Sequence, residues 1–271
     1  MLLGFDDLVA RYGIASTGVL HVGAHEGEEA EIYERTGMQG VTWIEANPTV
    51  VPRLRANVEP RGHRVIEALV GDTPAVRTFH IANNEQSSSL LEFGVHRQEH
   101  PDVVVTESIE LRTRTLDEIC ATDKVDEFGV LVLDLQGAEL LALQGATETL
   151  AHVDYVYLEV NDKPLYVGCA MVSDLDAYLG DFVRVETVMT QHGWGDALYV
   201  RATVLARNLA RARIALATAR AAEEQARAEL VSVQAEREAL VRSRSWRITR
   251  PLRTLAGVAR RLRRRGASLT A

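Results

Sequence analysis

As far as about Thr203, short β-branched runs alternate with segments of helical period. "GVLHVG" is a buried-type strand, and "EEAEIYERTG" is a helix stopped by Gly37. "VTWIEA" predicts a second strand, followed by the helix "NPTVVPRLRANV" with Asn47 as cap and Pro48 in its first position. "RVIEALVG" predicts a third strand. Three βα units in succession require a parallel sheet with right-handed crossovers. "VRTFHIAN" then alternates with no helix before it, as an antiparallel addition or a hairpin would. "NNEQSSSLLEFG" is a polar loop with a short helical end. "SIELRTRTLDEIC" runs from a strand into a helix capped at Thr115, with Glu118 completing a capping box. "FGVLVLDLQG" is the most apolar strand and leads into the helix "AELLALQGATETL". "VDYVYLEV" is a strand, "MVSDLDAYLG" a helix with Ser173 as cap, and "RVETVMTQHGWGDALYVRA" a hairpin.

The pattern changes at Val204. From there to Val241 the chain is rich in Ala, Arg, Glu and Leu, with no Pro or Gly, which predicts one long helix. Leu209, Ala212, Leu216, Ala219, Ala226, Leu230, Val233 and Leu240 take heptad-like a/d positions, interrupted by Glu223 and Arg237, so a weak coiled coil is expected. Residues 242–271 form a basic tail with ten Arg and no acid. We therefore divide the chain at 1–203, 204–241 and 242–271.

Composition matters mainly through this asymmetry. The formal net charge is −8, yet from Val204 onward 16 Arg stand against five Glu. The body before it is strongly acidic, which argues against a nucleic-acid substrate. Cys120 and Cys169 have no metal-ligand spacing and read as ordinary thiols of a reducing compartment. The start lacks a basic, apolar leader, and no apolar run reaches the length of a spanning helix. A cytoplasmic location is expected.

Candidate chemistry collects at strand ends. The turn "GAHEG" (Gly23, Ala24, His25, Gly27) leads from a strand into a helix, where free N–H groups favour an anionic ligand group. His25 and Glu28 break the dinucleotide fingerprint, a phosphate loop is absent, and Glu28 and Glu29 oppose a pyrophosphate. A nicotinamide oxidoreductase is thus disfavoured, and a cofactor without phosphates suits the turn better. Glu45 ends the second strand where a ribose-binding acid belongs. Asp134, after "VLVL", is costly to bury unless solvated or paired. Glu159 and Asn161 end the next strand at the same rim, and His192 lies in a hairpin turn that could reach it. Glu139 is either functional or a partner of its helix dipole. His21 reads as a packed core imidazole. His96 and His100 have i,i+4 spacing but no third ligand, so no metal site is assigned.

Taken in order, "VLHVGAHEGEEAEIY", "WIEANP", "ALVGD", "SSSLL", "RTRTLDEI", "VLDLQGAELLALQGA" and "YLEVN" resemble the FkbM-type methyltransferases over roughly residues 17–203. The resemblance implies an S-adenosylmethionine-dependent O-methyltransferase. Its fold would be α/β, a Rossmann-like class I methyltransferase with a mostly parallel seven-stranded sheet, here followed by a C-terminal helical extension. It further implies that Gly23, Ala24, His25 and Gly27 line the methionine and ribose end of the cofactor and that Glu45 binds ribose. Ala68, Leu69 and Gly71 would flank adenine, and Asp134 would face the transfer site. For the acceptor's proton the candidates are Asp134, then Glu159 and His192. The family often has Asp at position 21, Asn at 25 and Glu at 136, where this chain has His21, His25 and Gln136. "SRSWRITRPLR" resembles a segment near the C-terminal ends of bacterial glycan-assembly proteins, which points to a sugar or surface-glycan hydroxyl as acceptor. Expected partners are that small-molecule or glycan substrate, a second copy through the coiled coil, and a glycosyltransferase or the inner membrane face through the tail. The open alternative is a non-catalytic adaptor that docks the coiled coil on such a complex.

Overall fold

The computed structural model describes residues 1–15, 18–125, 128–243 and 247–249. In chain order the elements are α1 (Phe5–Tyr12), β1 (Gly18–Val22), α2 (Ala30–Arg35), β2 (Gly40–Glu45), α3 (Val51–Val58), β3 (Arg64–Glu67), β4 (Leu69–Val70) and β5 (Val76–Ala82). There follow α4 (His96–Glu99), β6 (Val105–Arg114), α5 (Leu116–Asp123), β7 (Val130–Leu133), α6 (Glu139–Gln144) and α7 (Thr147–His152). The last are β8 (Tyr155–Asn161), α8 (Val172–Tyr178), β9 (Phe182–Met189), β10 (Trp194–Arg201) and α9 (Ala202–Arg242).

Seven strands form the main sheet in the order β3-β2-β1-β7-β8-β10-β9. β3, β2, β1, β7 and β8 run parallel, and the β9–β10 hairpin joins β8 antiparallel. This is the Rossmann-like, mostly parallel α/β fold expected. The strand order reverses between β1 and β7, which is where open sheets of this kind hold ligands beyond their carboxyl ends. β1, β7 and β8 are buried on both faces, which is why they read as unbroken apolar runs. One core layer contains Leu20, Leu131, Leu143 and Val156, and the other contains Tyr33, Trp43, Leu54 and Val132.

Local chemistry moves several expected boundaries. "RVIEALVG" is two strands: β3 completes the main sheet, whereas β4 pairs with β6 in a second sheet of order β4-β6-β5. β5 does pair antiparallel, with β6. Asn47 makes a turn on Thr49 through its Oδ1 (3.1 Å), so α3 starts only at Val51 and Pro52, not Pro48, sits in its first turn. Thr115 caps α5 by accepting from Glu118 N (3.0 Å), while the Glu118 carboxylate turns to Arg114 (3.3 Å). α8 is capped at Met171, whose N–H donates to Asp174 (2.9 Å), rather than at Ser173. Gly145 and Ala146 divide the helix after β7 into α6 and α7. The reading missed α1, which buries Phe5 and Leu8.

The chain divides into two compact units, Met1–Leu209 and Ala210–Ala271. Both sheets lie in the first. In the second, α9 continues to Arg242 with Ile214, Leu230, Val231 and Val233 exposed. Of the basic tail, residues 244–246 and 250–271 lie outside the described residues. Among the described residues both cysteines are free, and no helix is long and apolar enough to cross a membrane.

Candidate active site

A cavity of about 480 Å³ opens beyond the ends of β1, β2, β7 and β8, a size typical of small-molecule sites. Gly23, Ala24, His25, Glu45, Ala68, Leu69, Asp134 and Glu159 all line it. Gly27, Gly71 and His192 are not in its lining. Two of the glycines have a packing reason for being glycine. Gly23 has φ +79°, and a Cβ there would fall 1.8 Å from the Asp134 carbonyl oxygen, so the turn after β1 passes directly against the turn after β7. Gly27 has φ +74°, and its Cβ would meet Val58 of α3 at 2.6 Å.

Glu45 holds the β1–α2 turn to the end of β2. Its Oε2 accepts from His25 N (2.8 Å), and its Oε1 accepts from Ala46 N (2.9 Å) and Asn47 N (2.7 Å). Burial raises this carboxyl, while the three N–H donors hold it down. A carboxylate has about four lone-pair sites, so Oε2 keeps one for a ligand. The His25 ring is bonded through Nδ1 to Glu28 (2.6 Å), which favours its protonated form.

Across the cavity the acids are held differently. Gln136 donates from one amide nitrogen to Asp134 Oδ1 (2.7 Å) and Glu159 Oε2 (2.8 Å), and its Oε1 accepts from the Tyr166 hydroxyl (2.6 Å). Gln136 and Gly137 both have positive φ, and this tight turn is closed by Glu139 Oε1, which accepts from Leu135 N (2.8 Å) and Gly137 N (3.2 Å). Glu139 therefore does more than complement a helix dipole. Burial pushes its carboxyl up to about 7. Glu159 is buried at the cavity wall, and burial followed by the Asp134, Glu139 and Asp196 carboxylates raises it well above the usual range. Asp134 is open to the cavity and enclosed on its other sides. Burial raises it, opposed by the Gln136 hydrogen bond. Both carboxyls are therefore pushed up, Glu159 the more strongly.

His21 is a core imidazole as expected. It stacks on Trp43 (4.9 Å between centroids), contacts the Tyr33 hydroxyl (3.0 Å), and burial pushes it down to about 3. His192 faces Glu99 (Nδ1 to Oε2, 3.1 Å) and the His100 ring (4.8 Å). His96 and His100 lie 4.9 Å apart as tilted rings. Sequence reasoning missed Gln136 as the bridge, Tyr166, and the wall Asn84–Leu90, whose Ser89 hydroxyl donates to the Gln136 carbonyl (2.8 Å). It also missed Asp196, which faces Glu159 across β10 and β8 and accepts from the Tyr157 hydroxyl. An acid inside the apolar strand "GDALYV" was the available signal.

The fold is the Rossmann-like, mostly parallel α/β fold of the class I methyltransferases, with its cavity at the carboxyl ends of the strands. The chain matches the methyltransferase FkbM domain family over residues 21–193, and it belongs to that family. It is similar to the 2-O-methyltransferase NoeI of Sinorhizobium fredii, 26% identical over 159 residues. That match takes in 55% of this chain and 65% of the relative's length. Among solved structures, the magnesium protoporphyrin IX methyltransferase of Synechocystis PCC 6803 aligns with a TM-score of 0.42 at 11% identity, over 72% of this chain and 74% of that one. The ribosomal protein L11 methylase of Lactobacillus delbrueckii aligns with a TM-score of 0.40 at 14% identity, over 72% and 76%.

S-adenosylmethionine is the family's cofactor, and the residues present fit it. The cavity wall carries Glu28, Glu29, Glu45, Asp134 and Glu159 but no Lys or Arg among the described residues, which suits a cation without phosphates. Ala68, Leu69, Phe79, Leu135 and Ala138 supply an apolar side.

Proposed function

We propose that this chain transfers a methyl group from S-adenosylmethionine to a hydroxyl of a sugar or surface-glycan acceptor. The observation that carries this reading is the Asp134–Gln136–Glu159 bridge, which sets two carboxyls on one shared amide beside the turn held by Glu45. The bound cofactor supplies an electrophilic methyl group on a sulfonium. The backbone at Gly23, Ala24 and His25, with the open lone pair of Glu45 Oε2, would hold its ribose and methionine parts. Ala68 and Leu69 would flank its base. Asp134 Oδ2, whose sister oxygen is fixed by Gln136, takes the proton of the attacking hydroxyl. The enclosing walls exclude water and hold the reactants in line, where positioning supplies much of the rate. Glu159 shares the Gln136 amide with Asp134, and His192 belongs to the outer rim. The name of the relative NoeI supports a hydroxyl oxygen as acceptor.

The same reading gives α9 to self-association, with Leu209, Leu216, Leu230 and Val233 exposed on its apolar stripe. The Arg-rich tail is assigned to an anionic membrane face or a glycan-assembly enzyme, at about 1 kcal/mol per Arg near such a surface.

The test is incubation of the purified chain with S-adenosylmethionine and a neutral glycan fraction, read by mass spectrometry. The reading expects a one-methyl gain that disappears in Asp134→Asn. S-adenosylhomocysteine that binds without any methylated glycan would reject the sugar acceptor. Failure to bind it at all would leave the adaptor.

A further inference from the structure

A continuous wall of aromatic rings leads from the catalytic bridge to the outside. It starts at Tyr166, whose hydroxyl is bonded to Gln136, and passes to Phe93 (5.7 Å between centroids) and His96 (5.4 Å). From His96 it continues to His100 (4.9 Å) and then to His192 (4.8 Å) at the hairpin turn. Trp194, half-buried, packs against the same cluster, and Tyr166, His96, His100 and Trp194 all line the cavity.

We propose that this wall is the acceptor subsite and that it takes the ring of an uncharged sugar, presenting one hydroxyl to Asp134. The proposal rests on the O-methyltransferase reading and adds where the acceptor lies and what class it belongs to. Four features select the occupant. The wall is continuous with the carboxyl pair through Tyr166 and Gln136, so a ring seated on it reaches Asp134. Successive rings are tilted by 43–47° from Tyr166 through His96 and His100 to His192, which makes a ribbed surface rather than a flat slot. Such a surface matches the apolar C–H face of a pyranose chair better than a planar phenol. Three of the rings are imidazoles, which stack and hydrogen-bond at once. His96 is 5% exposed, its Nδ1 has no hydrogen-bond partner, and burial keeps the ring uncharged, as suits a neutral hydroxyl. Finally, the acidic lining around Asp134, with no Lys or Arg among the described residues that line the cavity, disfavours sulfated, phosphorylated or carboxylated acceptors.

The experiment is saturation-transfer NMR on the full chain with saturating S-adenosylhomocysteine. The probes are methyl β-D-glucopyranoside and methyl β-D-galactopyranoside, with catechol and glucuronate as controls. The proposal expects transfer to the pyranoside ring protons and none to glucuronate. Trp194→Ala and His100→Ala should each weaken pyranoside binding by about three- to tenfold, the range for one lost ring contact. S-adenosylhomocysteine affinity, read by calorimetry, should stay within about twofold on the same scale. Should Trp194→Ala also lose that affinity through misfolding, His100→Ala decides, because its half-buried ring carries little of the core. Transfer to catechol alone, or pyranoside binding unchanged in His100→Ala, overturns the subsite. Loss of S-adenosylhomocysteine binding by the unmodified chain instead rejects the enzyme reading beneath it.

Discussion

Glu45 and the Asp134–Glu159 pair face one cavity from opposite sides, and burial raises all three carboxyls. They differ in what opposes that push. Three backbone N–H groups, fixed by the fold, meet Glu45. One side-chain amide, that of Gln136, serves both members of the pair. A carboxylate locked by main chain is suited to holding a ligand, whereas a pair sharing one side-chain amide is suited to accepting a proton. The contrast shows that a shared upward push does not mean a shared role; the kind of donor decides it.

The largest way to break the arrangement is at the turn that joins its halves. Gly23→Ala drives a Cβ into the Asp134 carbonyl, and the expected cost is about 4 kcal/mol or more by chemical denaturation. A loss below about 1 kcal/mol would mean the two turns can separate freely.

Glu139 sharpens the comparison, since it is held by main chain like Glu45 yet is pushed up to about 7. Its folded value exceeds the unfolded one near 4.5, so the folded state binds the extra proton between them. Its contribution is therefore full below the unfolded value and is lost as pH rises towards 7. Glu139→Gln keeps a carbonyl for both N–H donors and cannot ionise. Relative to the natural chain it should be near neutral at pH 4 and more stable by about 3 kcal/mol at pH 8. Parallel stability–pH curves for the two proteins would contradict this.

Gln136→Met removes the shared amide, so both carboxyls rise further and Asp134 ionises later. The acid-side rise of methyl transfer with pH should therefore move to higher pH. An unchanged pH profile with unchanged rate would remove Gln136 from proton handling. The smallest effect belongs to the rim. Arg53, on α3, pairs with Glu26 (2.6 Å) and Glu85 in the open, so Arg53→Ala should leave thermal unfolding almost unchanged.

The fold was legible because its signals are local. β1, β2, β7 and β8 are apolar runs, and the polar residues that end them, Glu45, Asp134 and Glu159, were bound to share a rim once the sheet was parallel. What sequence did not reveal arrives from a distance. Ser89, Tyr166 and Asp196 reach the site from loops and an antiparallel strand, and no spacing in the chain announces those meetings. Gln136 was visible only as a departure from the family's usual Glu. Its value lies in having both a donor and an acceptor end, which matters only when two acids and a phenol surround it. Gly27 shows the reverse case, a residue read as lining the ligand that packs against α3.

The division of labour is tested most directly by calorimetric titration of S-adenosylhomocysteine into the unmodified chain, Glu45→Ala and Glu159→Gln. Binding should weaken by about thirtyfold or more in Glu45→Ala, since an anchored acceptor and the turn it holds are lost together. Glu159→Gln, which leaves the turn held by Glu45 untouched, should bind within about threefold of the natural chain. Equal affinities in all three proteins, or a larger loss in Glu159→Gln than in Glu45→Ala, would contradict the assignment of cofactor to one side and proton to the other.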